Sequence, residues 1–345
     1  MALSFVDLLS AIVNALSKLL GKKSTQPPQE PVPPAVPADN ATEPAQIVTR
    51  KVLLVVYDPV MDATTGKKLS QQQGWNRSED LVNAFMADVL QVSGGMARYQ
   101  IVERKELDEF PAKVDDFRYT PATYLEALRG AAPPHTPQEV NYQAILERFN
   151  VLPRVANKTI DEVWIFAFPY AGLYESVMGG AGAFWCNAPA LKNTSQCPRR
   201  FIVMGFNFER GVGEMLESFG HRAESLMYKA FERTTGNANL WARFTRHEKV
   251  APGQAEVGTI HFAPNSEQDY DWNNQRSVPS NCYDWYNFPN FRGDVRQVNA
   301  SEWGNGDIRA HHLWWLKHLP KVAGRTSGTH NNWWQYIMDA NRVSV

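Results

Sequence analysis

The sequence predicts an α/β layered domain with a mixed sheet, covered by an irregular, aromatic-rich C-terminal half. Three observations carry this. Four short runs rich in Val, Ile and Phe alternate with stretches of helical period, the pattern of strands buried between helices. The last run leads straight into a long amphipathic helix. After Arg233 the chain becomes aromatic and loop-rich, with only short periodic segments.

Residues 1–23, MALSFVDLLSAIVNALSKLLGKK, stand apart. Ser4, Asp7, Ser10, Asn14, Ser17 and Lys18 form a polar stripe of helical period on an otherwise apolar circumference. An interfacial helix, lying on a membrane or in a partner groove, fits this best. An atypical export signal and packing on the chain's own domain stay open. A Pro-rich linker follows over 24–48, too dense in proline for helix or sheet. Anchor, tether and domain together point to an extracellular or membrane-surface location, with the cytoplasmic face of a membrane as the alternative.

The α/β subdomain spans 49–235. Residues 51–57, KVLLVVY, read as a buried strand that Asp58-Pro59 stops. Ser78 to Asp80 open a helix over 81–92 that ends at Gly94-Gly95. Residues 98–102 read as a second strand. A helix is expected over 139–149, a third strand over 161–168 and a fourth over 200–206. The glycine-rich stretch 172–189 reads as loop, and it lacks any phosphate-binding fingerprint. In the C-terminal subdomain, 236–345, a short element is expected at 258–262. Helices are expected near 307–318 and 332–340.

The helix opening at Gly213 carries the chemistry. Val212, Met215, Leu216, Phe219, Ala223, Leu226, Met227 and Ala230 gather on one side. Glu214, Glu217, His221, Glu224 and Tyr228 gather on the other. Residues four apart on a helix are neighbours, so Glu217 and His221 can grip one ion. Glu224, one turn on, can ligate as well or orient the imidazole. Nitrogen with carboxylate oxygen suits a divalent metal such as zinc. A solvated polar face with a weak surface pair is the alternative.

Around Phe219-Gly220-His221, residues 211–233 resemble the active-site helix of zincin metallopeptidases. The strand–helix order before it is also similar to a zincin N-terminal subdomain. The resemblance implies that His221 takes the second histidine's ligand role. Glu217 stands in place of the first histidine, so the motif reads ExxxH rather than HExxH. Ser218 stands where the family has its general base. A serine hydroxyl is no base at neutral pH without a partner, so Glu224, Glu214 or a residue of the second half would have to serve.

Catalytic metals commonly have three protein ligands. The second half offers His261 and His311 as the leading candidates to complete the set with Glu217, His221 and Glu224. Trp333 and Trp334, in NNWW, and His330 are candidates for contacting a polar ligand such as a glycan. Three functions follow. The first is a metal-dependent hydrolase, zincin-like, acting on peptide or cell-wall material. The second is a catalytically inactive relative that binds glycans or surface partners. The third is a glycoside hydrolase using Glu217 or Glu214 with Asp269 or Asp271.

A net charge of −1 gives no basic field for a phosphate backbone, so nucleic-acid binding is disfavoured. Cys186, Cys197 and Cys282 form no CxxC pair. Cys186 and Cys197 are read either as a disulfide closing their loop or as free thiols.

Overall fold

The computed structural model describes residues 43–344. The anchor assigned to 1–23 and the linker up to residue 42 lie outside the described residues. Among the described residues, no helix is long and apolar enough to cross a membrane.

A five-stranded mixed sheet organises the first half. Its strands are β1 (Val48–Tyr57), β2 (Ala97–Leu107), β3 (Glu162–Ala167), β4 (Ser176–Gly179) and β5 (Phe201–Asn207). They lie in the order β2-β1-β3-β5-β4. The first four in that order run parallel, and β4 pairs antiparallel to β5 at the edge. Every residue of β3 is buried, which explains the apolar run that follows Glu162, since a parallel strand is covered on both faces.

Alternate strand residues feed two cores. On one face Val52, Leu54, Val56, Trp164, Phe166 and Phe206 meet the helices α1 (Ser78–Val92) and α2 (Val212–Phe231). On the other, Leu53, Val55, Val163, Ile165 and Val203 meet the short helices Pro121–Leu128, Tyr142–Arg148 and Val151–Ala156. The first core continues without a break into the C-terminal half, through Trp241, Phe244, Trp285, Trp315, Trp333 and Trp334.

The elements differ from expectation in several places. The helix expected over 139–149 starts only at Tyr142 and stops at Arg148; Asn150, with φ 50°, separates it from a second short helix. The helix at Pro121 opens with proline at a position where a missing N–H costs nothing. The loop expected over 172–189 contains edge strand β4. Residues 258–262 form bends rather than a strand. The expected 332–340 helix is confined to Trp334–Met338, because Thr329–Asn332 pairs with Lys321–Thr326 as a hairpin. All three cysteines are buried and free.

The start of the described chain docks on that hairpin. Gly324 N–H donates to Glu43 O at 2.8 Å, and Arg325 pairs with the Glu43 carboxylate at 2.7 Å.

A buried ion pair sets the rotation of α2. Arg222 is fully buried and grips both Glu162 oxygens, at 2.6 and 2.7 Å. It also donates to Tyr99 Oη and to the carbonyls of Ile337 and Met338. Fixing Arg222 toward the sheet turns its neighbour His221 toward the segment 258–272.

Candidate metal centre

Glu217, His221 and His261 each offer one ligand atom, all within 4.8 Å of one another. Two come from α2, one turn apart. The third comes from the bend at 258–262, and Gly220 is what lets that bend reach the helix. A Cβ at Gly220 would lie 2.4 Å from Ile260 Cγ1. Glu224 Oε1 then accepts from Ile260 N–H at 2.9 Å, fixing the residue beside His261.

Both imidazoles are oriented by carboxylates on their Nδ1 side. His221 Nδ1 lies 3.1 Å from Glu224 Oε2, and His261 Nδ1 lies 3.3 Å from Asp269 Oδ1. Both Nε2 atoms are thereby turned toward one oxygen, Glu217 Oε1, at 2.9 Å from His261 and 4.0 Å from His221. A carboxylate behind each histidine is the arrangement that fixes the tautomer of a metal-ligating imidazole and raises its basicity. Tetrahedral ligation at about 2.05 Å places donor atoms about 3.3 Å apart. An ion would need His261 and Glu217 to part by roughly 0.4 Å, and His221 to close by roughly 0.7 Å.

The charge balance favours a cation. Glu217, Glu224, Glu175 and Asp269 surround two imidazoles. Burial would lower the His261 pKa, but Asp269 and Glu217 outweigh it and push it up to about 10. Burial opposes the rise at His221 as well, where Glu224 and Glu175 prevail. Glu217 is lowered despite its burial, chiefly by His261. A metal binding here displaces a proton from His261, so affinity rises with pH.

Glu224 has both oxygens engaged, on His221 and on Ile260, so it orients rather than ligates. Glu214 lies in the first turn of α2, where its Oε2 accepts from Gly211 N–H at 3.0 Å. Ser218 Oγ donates to the carbonyl of Glu214 at 3.1 Å within its own helix.

His311 is not part of the donor group. It is fully buried, with its ring stacked on Trp272 at 4.8 Å and its Nδ1 3.0 Å from His312 Nδ1. Burial pushes its pKa down to about 3. Trp333 and Trp334 have no exposed surface and pack among Phe219, Phe231, Trp241, Phe244 and Trp285. Neither ring face is open to a glycan. His330 sits between Glu43 and Arg325, at 3.2 and 2.8 Å, in the hairpin clasp. The carboxylate pair considered for glycoside cleavage meets a steric objection. Glu217 and Asp269 stand on opposite nitrogens of the same His261 ring, so that ring fills the space a sugar would need. Asp271 is held by Asn274 Nδ2 and Glu267 N–H.

Two residues of the centre carried no sequence signal. Tyr270 donates to Glu217 Oε1 at 3.0 Å and lies 4.3 Å ring-to-ring from His261, while half its surface stays open. Its φ of 58° bends the chain so that the ring faces the site. Glu175, just before β4, brings Oε2 to 3.9 Å from His221 Nε2.

Comparison with protein-family models, curated proteins and solved structures returned no match.

Proposed function

We propose that this protein is a metal-dependent hydrolase of zincin-like architecture, acting on peptide or cell-wall material. The observation that carries the reading is the donor set: two imidazoles, each backed by a carboxylate, aimed at one further carboxylate on the helix that follows β5. The strand–helix order leading to that helix supports the zincin-like reading. Glu217, His221 and His261 would hold the ion, and zinc is the metal that nitrogen and carboxylate donors suit best among the common catalytic ones.

Such a metal acidifies bound water and polarises a carbonyl. The chain's own groups do the rest. Glu224 and Asp269 hold the imidazoles in the tautomer that presents Nε2. Tyr270 Oη–H, which donates to Glu217 here, would be able to donate instead to an oxygen gaining charge beside an ion held by Glu217. Residues 1–23 would hold the enzyme at a membrane surface or partner groove.

The test is direct. Purified protein titrated with Zn²⁺ in competition with a chromophoric chelator binds one ion, and Glu217→Ala, His221→Ala and His261→Ala each weaken it at least tenfold. A chelator then stops hydrolysis of a quenched-fluorescent peptide library. Absence of binding, or binding indifferent to all three substitutions, removes the proposal. If zinc binds but no hydrolysis appears, the alternative of an inactive metal-binding relative takes its place; Ser218 is the observation behind that alternative.

A further inference from the structure

The helix that contributes two donors lacks a carboxylate at the position where the zincin motif carries its base, since Ser218 stands there. Ser218 bonds back along its own helix, Glu214 caps the first turn, and Glu224 spends both oxygens on His221 and Ile260. Hydrolysis needs a group that takes a proton from water.

A carboxylate borders the centre from another element. Glu175 stands 3.9 Å from His221 Nε2 through Oε2, yet lies outside the group of atoms within 4.8 Å of one another. It is therefore beside the donor set rather than in it. It lines the same cleft as Ser218, a hollow of about 230 Å³ that Glu214, Asn207 and Arg210 also border. The serine occupies the place on α2 where the zincin motif carries its base, and Glu175 reaches the same cavity from across it.

The position of Glu175 is built. Its backbone carbonyl accepts from Gly205 N–H on β5 at 3.1 Å. Gly205 permits this approach, since a Cβ there would lie 2.4 Å from Tyr174 O. The carboxylate itself accepts from Asn187 Nδ2 at 2.6 Å. Asn187 adopts φ 56°, a conformation asparagine tolerates better than most residues. Its N–H donates to Ser225 Oγ at 3.1 Å, and Ser225 Oγ–H donates to the carbonyl of His221. Glu175 is thus tied, through Asn187 and Ser225, to the helix that bears the candidate metal donors.

We propose that Glu175 is the general base of the centre, replacing the glutamate that α2 lacks at Ser218. This rests on the metal-hydrolase reading. Glu175 takes one proton from the attacking water as the water oxygen bonds to the scissile carbonyl carbon and the carbonyl π pair moves onto its oxygen. The same proton passes to the leaving nitrogen as the C–N bond breaks. Acid and amine products then account for every atom of water and amide, and Glu175 is returned as the carboxylate.

Acetohydroxamic acid probes this without knowledge of the substrate. It binds a metal as its anion, and a carboxylate beside the metal that accepts its hydroxyl proton tightens the complex relative to release of that proton to solvent. With Co²⁺-loaded full-length protein, the visible spectrum reports both metal occupancy and hydroxamate binding. Glu175→Gln is expected to keep Co²⁺ affinity within threefold and to weaken acetohydroxamate at least tenfold. Glu175→Asp, which keeps a carboxylate one methylene further back, is expected to fall between, and serves if the glutamine variant folds poorly. Unchanged hydroxamate affinity in Glu175→Gln overturns the assignment. A tenfold loss of Co²⁺ affinity also overturns it, by making Glu175 a ligand. Failure of the unsubstituted protein to bind Co²⁺ defeats the metal centre itself, a result separate from either.

Discussion

Replacing Gly220 with alanine tests how the helix and the His261 segment are fitted together. A Cβ at this position lies 2.4 Å from Ile260 Cγ1, 2.5 Å from Cδ1 and 3.1 Å from Cβ. Ordinary carbon contacts are about 3.5–4.0 Å, so Ile260 must retreat by roughly 1 Å. It has little room, being fully buried, and its β-branched side chain has few rotamers. Such overpacking costs about 1–3 kcal/mol. Alanine in place of glycine inside a helix returns about 1 kcal/mol. The net expectation is a loss of about 1 kcal/mol in urea unfolding. The effect on metal binding is larger, because His261 is the next residue and ligand distances tolerate only about 0.2 Å. Zinc affinity is expected to fall at least tenfold. A variant that gains about 1 kcal/mol, as helix propensity alone dictates, and binds zinc unchanged would refute the argument.

Other consequences follow from the same packing. Trp334→Ala is expected to destabilise the fold by about 3–5 kcal/mol, read as a lower urea midpoint; a stable variant with altered glycan binding would instead restore the surface role. Arg222→Met takes the bidentate partner from buried Glu162, leaving it Arg50 at 3.5 Å and the Trp164 indole N–H, and is expected to cost about 3 kcal/mol in the same assay. Acid stability follows from buried histidines. Burial lowers His311 and His318 to about 3 and His247 to about 4, whereas the unfolded chain takes up these protons near 6.5. Below pH 6.5 the unfolded state binds protons the native state cannot, so stability falls on acidification, approaching about 1.4 kcal/mol per histidine per pH unit. The metal-free protein's urea midpoint should drop between pH 6.5 and 5, less steeply in His318→Leu; an equal slope in that variant contradicts the assignment. His261 works in the opposite sense. Its pKa is raised to about 10, so its stabilisation is complete below pH 6.5 and lost as pH climbs toward 10.

Much of the sheet was readable because parallel strands buried on both faces show as unbroken apolar runs. VLLVVY in β1 and VWIFA in β3 are such runs, and both are central strands. β4 was hidden within a glycine-rich stretch, four residues long and at the edge, too short for any period to show. The polar face of α2 was readable from spacing, and Glu217 and His221 follow from it. That this face is covered was not readable, since the cover is a bend, 258–272, whose path depends on Gly220 and on the positive φ of Tyr270. His261 could be named as a candidate but not placed. Glu175 had no pattern around it. The NNWW run misled for a definable reason. Asparagines beside tryptophans suggest a wet surface, yet Asn331 and Asn332 are themselves buried, with side-chain amides donating to Ala323 O and Gln46 O.

The central claim is that Glu217, His221 and His261 share one ion. Anomalous diffraction above the zinc edge, from crystals of the full chain grown with Zn²⁺, addresses it most directly. The account predicts a single strong peak about 2.0–2.2 Å from a Glu217 oxygen and from Nε2 of both histidines. Strong zinc peaks elsewhere, with His261 still hydrogen-bonded to Glu217 and nothing between them, would contradict it.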